Sequence, residues 1–102
     1  MIISAGYNIA GPEVENALLE HPAVLECACV GVPDEERGQV VKAFVVLREG
    51  HEAGDELAKE LQDFVKRQIA PYKYPRRVEF VASLPRTQTG KLQRFRLREG
   101  SA

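Results

Sequence analysis

Pro85-Arg86-Thr87-Gln88-Thr89-Gly90-Lys91-Leu92-Gln93-Arg94 is the stretch on which this chain turns. Proline fixes one backbone angle and glycine admits conformations that a Cβ would forbid, so the segment predicts an exposed loop of preset turns. Lys91 follows Gly90 directly, so nothing bulky crowds its approach to a ligand. Its ammonium is a compact charge with three donors, suited to phosphate or carboxylate oxygens. A phosphate-cradling loop of the form G-x-x-x-x-G-K-[ST] fails at two places. Pro85 stands where the first glycine belongs, and Leu92 replaces the hydroxyl that would hold magnesium. Composition alone favours a solvated lysine on a turn.

The other end of the chain carries a second signal. In Ile3-Ser4-Ala5-Gly6-Tyr7-Asn8-Ile9, followed by Pro12-Glu13-Val14-Glu15, a glycine separates two strand-like runs. Such a glycine marks a hairpin turn, or a bulge where a backbone or ligand comes close. P-R-T-x-T-G-K-x-x-R at 85–94 resembles the last core motif of the adenylate-forming ligases, the superfamily of acyl-CoA synthetases, luciferases and peptide-synthetase adenylation domains. The earlier segment is similar to that family's I-x-x-x-G-Y-x-I motif with its trailing helix. The resemblance runs over essentially all 102 residues, in the family's order, and covers only its small C-terminal domain.

Length and composition bound the answer. A chain of 102 residues is one domain with a single core, and 44% hydrophobic with 28% charged residues is ordinary for a globular protein. No apolar run approaches a membrane-spanning length, and the first residues lack the basic start and cleavage site of a signal peptide, so neither is expected. The net charge of −1 hides an asymmetry: residues 1–63 hold 13 acids and 4 bases, residues 64–102 hold 10 bases and 2 acids. The C-terminal third is therefore an anion-facing surface, which fits a solvated face or a nucleic-acid patch as well as a catalytic one. Cys27 and Cys29 fall on one face of a strand, a poor geometry for a mutual disulfide, and with only His21 and His51 besides, no zinc site is expected. Core thiols suit a reducing cytoplasm.

In chain order, residues 1–4 and 7–9 read as short strands around Gly6. A helix should follow, with Gly11 at its cap, Pro12 at its first position, Glu13 and Glu15 at its positive end, and Val14, Ala17 and Leu18 inward. His21-Pro22 ends it. Residues 24–32 form a strand closed by a Pro33-Asp34 turn, and residues 40–47 a strand covered on both faces. A second helix, capped by Asp55, buries Leu57, Leu61, Phe64 and Val65. The prolines of 70–75 bar a helix, residues 77–81 form a strand, and residues 92–98 a short helix with Leu92 and Phe95 inward. The expected fold is mixed α+β: about three central strands, two main helices and an N-terminal two-stranded hairpin.

The resemblance implies more. The domain would be the mobile C-terminal lid of an ATP-dependent carboxylic acid–CoA ligase, whose large N-terminal domain, with the ATP loop, acyl pocket and magnesium, is absent from this chain. Alone it should catalyse nothing. Lys91 would be the adenylation lysine, and Ala5, Gly6, Tyr7 and Asn8 would line the channel for CoA. Related CoA ligases place CoA contacts at positions matching Arg37 and Lys66; by themselves these read as an ion-pair partner and ordinary helix surface. Ala5 stands where close relatives often have Ser, so a contact there would use the backbone, and Asn8 stands where many relatives have Arg. Residues 7–15 and 71–76 resemble the 2-aminobenzoate and benzoate ligases first and the medium-chain ligases second. A carrier-protein-dependent adenylation domain and a free-standing basic nucleic-acid module remain as alternatives.

Overall fold

The structure, a computed structural model, describes residues 2–99, save the side chains of Phe95, Arg98 and Glu99. The chain opens on an antiparallel hairpin, β1 (Ile2–Ser4) and β2 (Tyr7–Ile9). Helix α1 (Gly11–Leu19) leads into β3 (Val24–Asp34), which turns back into β4 (Gly38–Leu47). Helix α2 (Asp55–Gln68), a single 3-10 turn (Pro71–Lys73) and β5 (Arg77–Phe80) follow, and α3 (Arg94–Glu99) ends the described chain. The main sheet has the order β3-β4-β5, with β3 antiparallel and β5 parallel to β4. The expected α+β fold is thus met.

Alternation along the central strands divides the apolar residues between two cores. Cys27, Cys29, Val41, Ala43 and Val45 face a layer made by the hairpin, α1 and α2, where Ile2, Ile9, Val14, Leu18, Leu61 and Val65 are buried. Ala28, Val30, Val32, Val40, Phe44 and Val46 face the other way, onto Leu84, Leu97, Val81 and Leu92. A period of two with both faces apolar is the mark of a sheet covered on both sides. The whole measures 36 × 31 × 20 Å, a flattened body.

Several local expectations are corrected. Ala10, not Gly11, is the N-cap of α1, and Pro12 sits inside the first turn. Gly54, not Asp55, is the N-cap of α2, and Asp55 is its first residue. Pro33 and Asp34 continue β3 instead of turning: β3 is an edge strand, where the missing proline N–H disturbs no ladder. The reversal falls at 35–37, where the Asp34 carboxylate accepts from the Glu36 and Arg37 amides at 3.2 and 3.0 Å. The prolines of 70–75 do not exclude helix: Pro71 opens the 3-10 turn, where its lost donor is unneeded. Leu92 precedes α3 and packs inward from the loop. The expectation for the Phe95 side chain lies outside the described residues. Phe64 is only half-buried, its ring edge-on to His21 at 5.0 Å.

Candidate functional site

The lysine loop is built on backbone held by side chains. Arg86 and Leu92 form an isolated antiparallel bridge that closes its base. Within it the Thr87 amide donates to the Lys91 carbonyl at 2.8 Å, and the Gly90 amide to the Thr87 carbonyl at 2.9 Å. Gly90 takes φ +87°, a left-handed conformation that a Cβ would strain, so the tip requires glycine. The peptide joining Gly90 to Lys91 is held from both ends. Its N–H donates to Thr87 Oγ1 at 3.0 Å, and its carbonyl accepts from Arg86 Nη1 at 3.0 Å. Lys91 itself is exposed, and among the described residues its ammonium enters no ion pair. The hydrogen-bonded turns and the exposed lysine match the exposed loop of preset turns expected from the sequence.

Two arginines anchor the loop to the body, a feature the sequence reading missed. Arg86 also pairs with Glu26 of β3. Arg94 donates to Glu15 through Nε at 3.0 Å and Nη2 at 2.5 Å, a two-point grip. Glu15 is buried on α1, and the same carboxylate accepts the Cys29 N–H at 2.7 Å. That amide lies on the open edge of β3, so the carboxylate supplies the acceptor that a neighbouring strand would have given. The bond to Glu15 holds the Arg94 guanidinium above its ordinary range. Glu15 was expected to serve the helix dipole; it serves a long-range pair 79 residues away, which no local spacing could have signalled.

The other candidate residues gather on the opposite side of the sheet. Ala5 (φ +50°) and Gly6 (φ +85°) form the hairpin turn, both in the left-handed region that such tight turns require. The Ala5 amide donates to the Arg37 carbonyl at 3.1 Å, bringing the hairpin tip and the 35–37 turn together. Tyr7 is 54% exposed and its ring lies 4.6 Å from that of Tyr72. Asn8 is exposed opposite Ile3. The Arg37 guanidinium forms no ion pair among the described residues; Asp34 pairs instead with Arg77 at 3.5 Å. Lys66, in the last turns of α2, sits 4.3 Å from the centre of the Tyr74 ring and 3.8 Å from Asp63. Lys73 binds Glu13 at 2.6 Å, a hydrogen bond that raises its ammonium above its ordinary value. Ala5, Gly6, Tyr7 and Arg37 are therefore brought together, Lys66 lies against Tyr74, two residues from the Tyr72 that meets Tyr7, and Lys91 stands apart on the second core's side.

The model of the family described as AMP-binding enzyme C-terminal domain matches residues 13–91. The chain belongs to that family. Over 101 residues it is 57% identical to the human acyl-coenzyme A synthetase ACSM2A, mitochondrial, an alignment that takes in 97% of this chain and 18% of that protein. The crystal structure of Brucella canis acyl-CoA synthetase superposes with a TM-score of 0.95 at 55% identity, covering 97% of this chain and 18% of the other. The anthranilate CoA ligase AuaEII, solved in complex with anthranoyl-AMP, superposes with a TM-score of 0.88 at 40% identity, over 99% of this chain and 19% of its own. The chain thus spans less than a fifth of the length of these relatives. In this AMP-binding C-terminal domain the matched residues end on Lys91, and the alignment to the human relative, which takes in 97% of this chain, runs beyond them. Among the described residues, no group of His, Cys, Asp and Glu gathers to hold a metal ion, and no helix is long and apolar enough to cross a membrane.

Proposed function

We propose that this chain is the moving C-terminal domain of an ATP-dependent carboxylic acid–CoA ligase and that its two sides serve successive half-reactions. The partner is a large N-terminal domain of the same enzyme, which binds ATP with its magnesium and the acid. In the first half-reaction the carboxylate attacks the α-phosphorus of ATP, giving an acyl adenylate and releasing pyrophosphate. Negative charge is then shared by the attacking carboxylate and the phosphorus oxygens. Lys91, placed between them, holds the nucleophile and stabilises that charge, an effect of about 10²–10³ in rate. In the second, the CoA thiol attacks the acyl carbon and AMP leaves. The turn at Ala5 and Gly6 with Tyr7 and Asn8 lines the thiol's path, and Arg37 and Lys66 meet the nucleotide end of CoA.

The observation that carries this reading is the placement of one exposed lysine on a fixed loop across the sheet from the tyrosine hairpin. For the acid, the likeness to an anthranilate CoA ligase supports an aromatic acid such as 2-aminobenzoate; higher identity to acyl-coenzyme A synthetases keeps a medium-chain fatty acid as the second candidate. The buried, unpaired Cys27 and Cys29 suit the cytoplasmic location proposed from the sequence. The test is Lys91→Ala in the complete enzyme. Adenylate formation, followed by pyrophosphate exchange, should fall about 10²–10³-fold while thioester formation from supplied acyl adenylate continues. Equal loss of both half-reactions would refute the division of labour.

A further inference from the structure

Glu26 lies on β3, far in sequence from the lysine loop, yet two structural features direct its carboxylate there. The first is a β-bulge. Val24 pairs with Leu47 and Glu26 with Val46, so the register shifts by one residue between them. On an unbroken strand Val24 and Glu26 would share a face, that of the first core to which Val24 belongs. The extra residue turns Glu26 to the side of Ala28 and Val30, which is the side of the lysine loop. The second is the fork of Arg86. Nη2 engages Glu26 while Nη1 donates to the Gly90 carbonyl at 3.0 Å. That carbonyl belongs to the peptide whose N–H is Lys91's own.

We propose that Glu26, acting through Arg86, is a positioning residue that aims Lys91, an inference that rests on the role proposed for Lys91 above. A guanidinium is a rigid planar fork, so a carboxylate rooted in the sheet that holds one nitrogen sets where the other meets the Gly90 carbonyl, and with it the direction in which the lysine leaves the loop. Glu26 touches no substrate. Its effect is confined to where the ammonium sits when the adenylate forms, and misplacement on the ångström scale costs up to about 10²-fold in rate.

The experiment compares Glu26→Gln, Arg86→Ala, their double variant and Lys91→Ala in the complete enzyme, measuring pyrophosphate exchange and thioester formation from supplied adenylate separately. Glu26→Gln and Arg86→Ala should each lower kcat of adenylation about 10–10²-fold, leave KM for ATP within about twofold, and leave the thioester step unchanged. The double variant should lose no more than Arg86→Ala alone, because the two act as one unit. The intact thioester step shows that the domain is folded. If Lys91→Ala abolishes adenylation while Glu26→Gln and Arg86→Ala do not lower it, the positioning role falls and the lysine's role stands. Equal loss of both half-reactions in the two variants would make the clamp mere support of the fold and overturn the proposal. Unimpaired adenylation in Lys91→Ala would overturn both.

Discussion

The guanidinium of Arg94 holds both carboxylate oxygens of Glu15, at 2.5 and 3.0 Å, across the open edge of β3. Glu15 is buried and also accepts the Cys29 amide, so removing its partner leaves a largely buried charge with only that amide and whatever water enters the space left by the arginine. Arg94→Ala should therefore cost about 2–3 kcal/mol, less than for a fully buried pair because Arg94 is partly exposed. Urea unfolding at pH 7 measures it. A loss below about 0.5 kcal/mol would mean that the pair contributes no more than an exposed one.

Burial, and next the Glu15 carboxylate, push the Cys27 thiol up from 9.0 to about 12. The folded chain thus keeps this proton after the unfolded chain has lost it. Stability from the buried thiol is present in full below pH 9.0 and falls as the pH climbs towards about 12. Relative to Cys27→Ala, the parent should lose stability faster between these limits. Parallel alkaline unfolding curves would contradict the assignment.

Ala5 occupies φ +50°, a conformation that costs an L-residue with a Cβ about 1 kcal/mol and that asparagine tolerates. Asn followed by glycine is the preferred pair for such a turn. Ala5→Asn should stabilise the hairpin by about 0.5–1 kcal/mol, read as a higher melting temperature. A lower one would show that the turn is set by its bond to Arg37 and not by its own residues.

Arg37→Ala and Lys66→Ala test the contact proposed with the nucleotide end of CoA. Each should raise KM for CoA about tenfold, roughly the 1.4 kcal/mol of one charge-assisted hydrogen bond, and leave KM for pantetheine, which lacks the nucleotide, unaltered. A parallel rise for pantetheine would move these residues from the nucleotide to the thiol arm.

Most of the fold is legible in the sequence because it follows local rules. Two-residue alternation gives β3 and β4, the spacing of Leu61 and Val65 gives α2, and proline, threonine and glycine give the lysine loop. What local rules miss is set by neighbours remote in the chain. Pro33 reads as a turn until β3 is known to be an edge strand, where its missing donor costs nothing. Glu15 reads as a helix-dipole acid and Glu26 carries no signal until Arg94 and Arg86 are folded against them, 79 and 60 residues later. The Tyr7–Tyr72 contact is likewise invisible, since the spacing of the two rings along the chain carries no information on their meeting.

The sheet's two coats of apolar side chains have an evolutionary corollary. Substitutions under the hairpin and those under the lysine loop fall in separate clusters, so, on the roles proposed above, either half-reaction is free to drift, or to be re-engineered, with little echo in the other. Besides the shared strands, a tie between them runs around the rim, through one acid and one arginine. That rim is where selection on the two trades should collide.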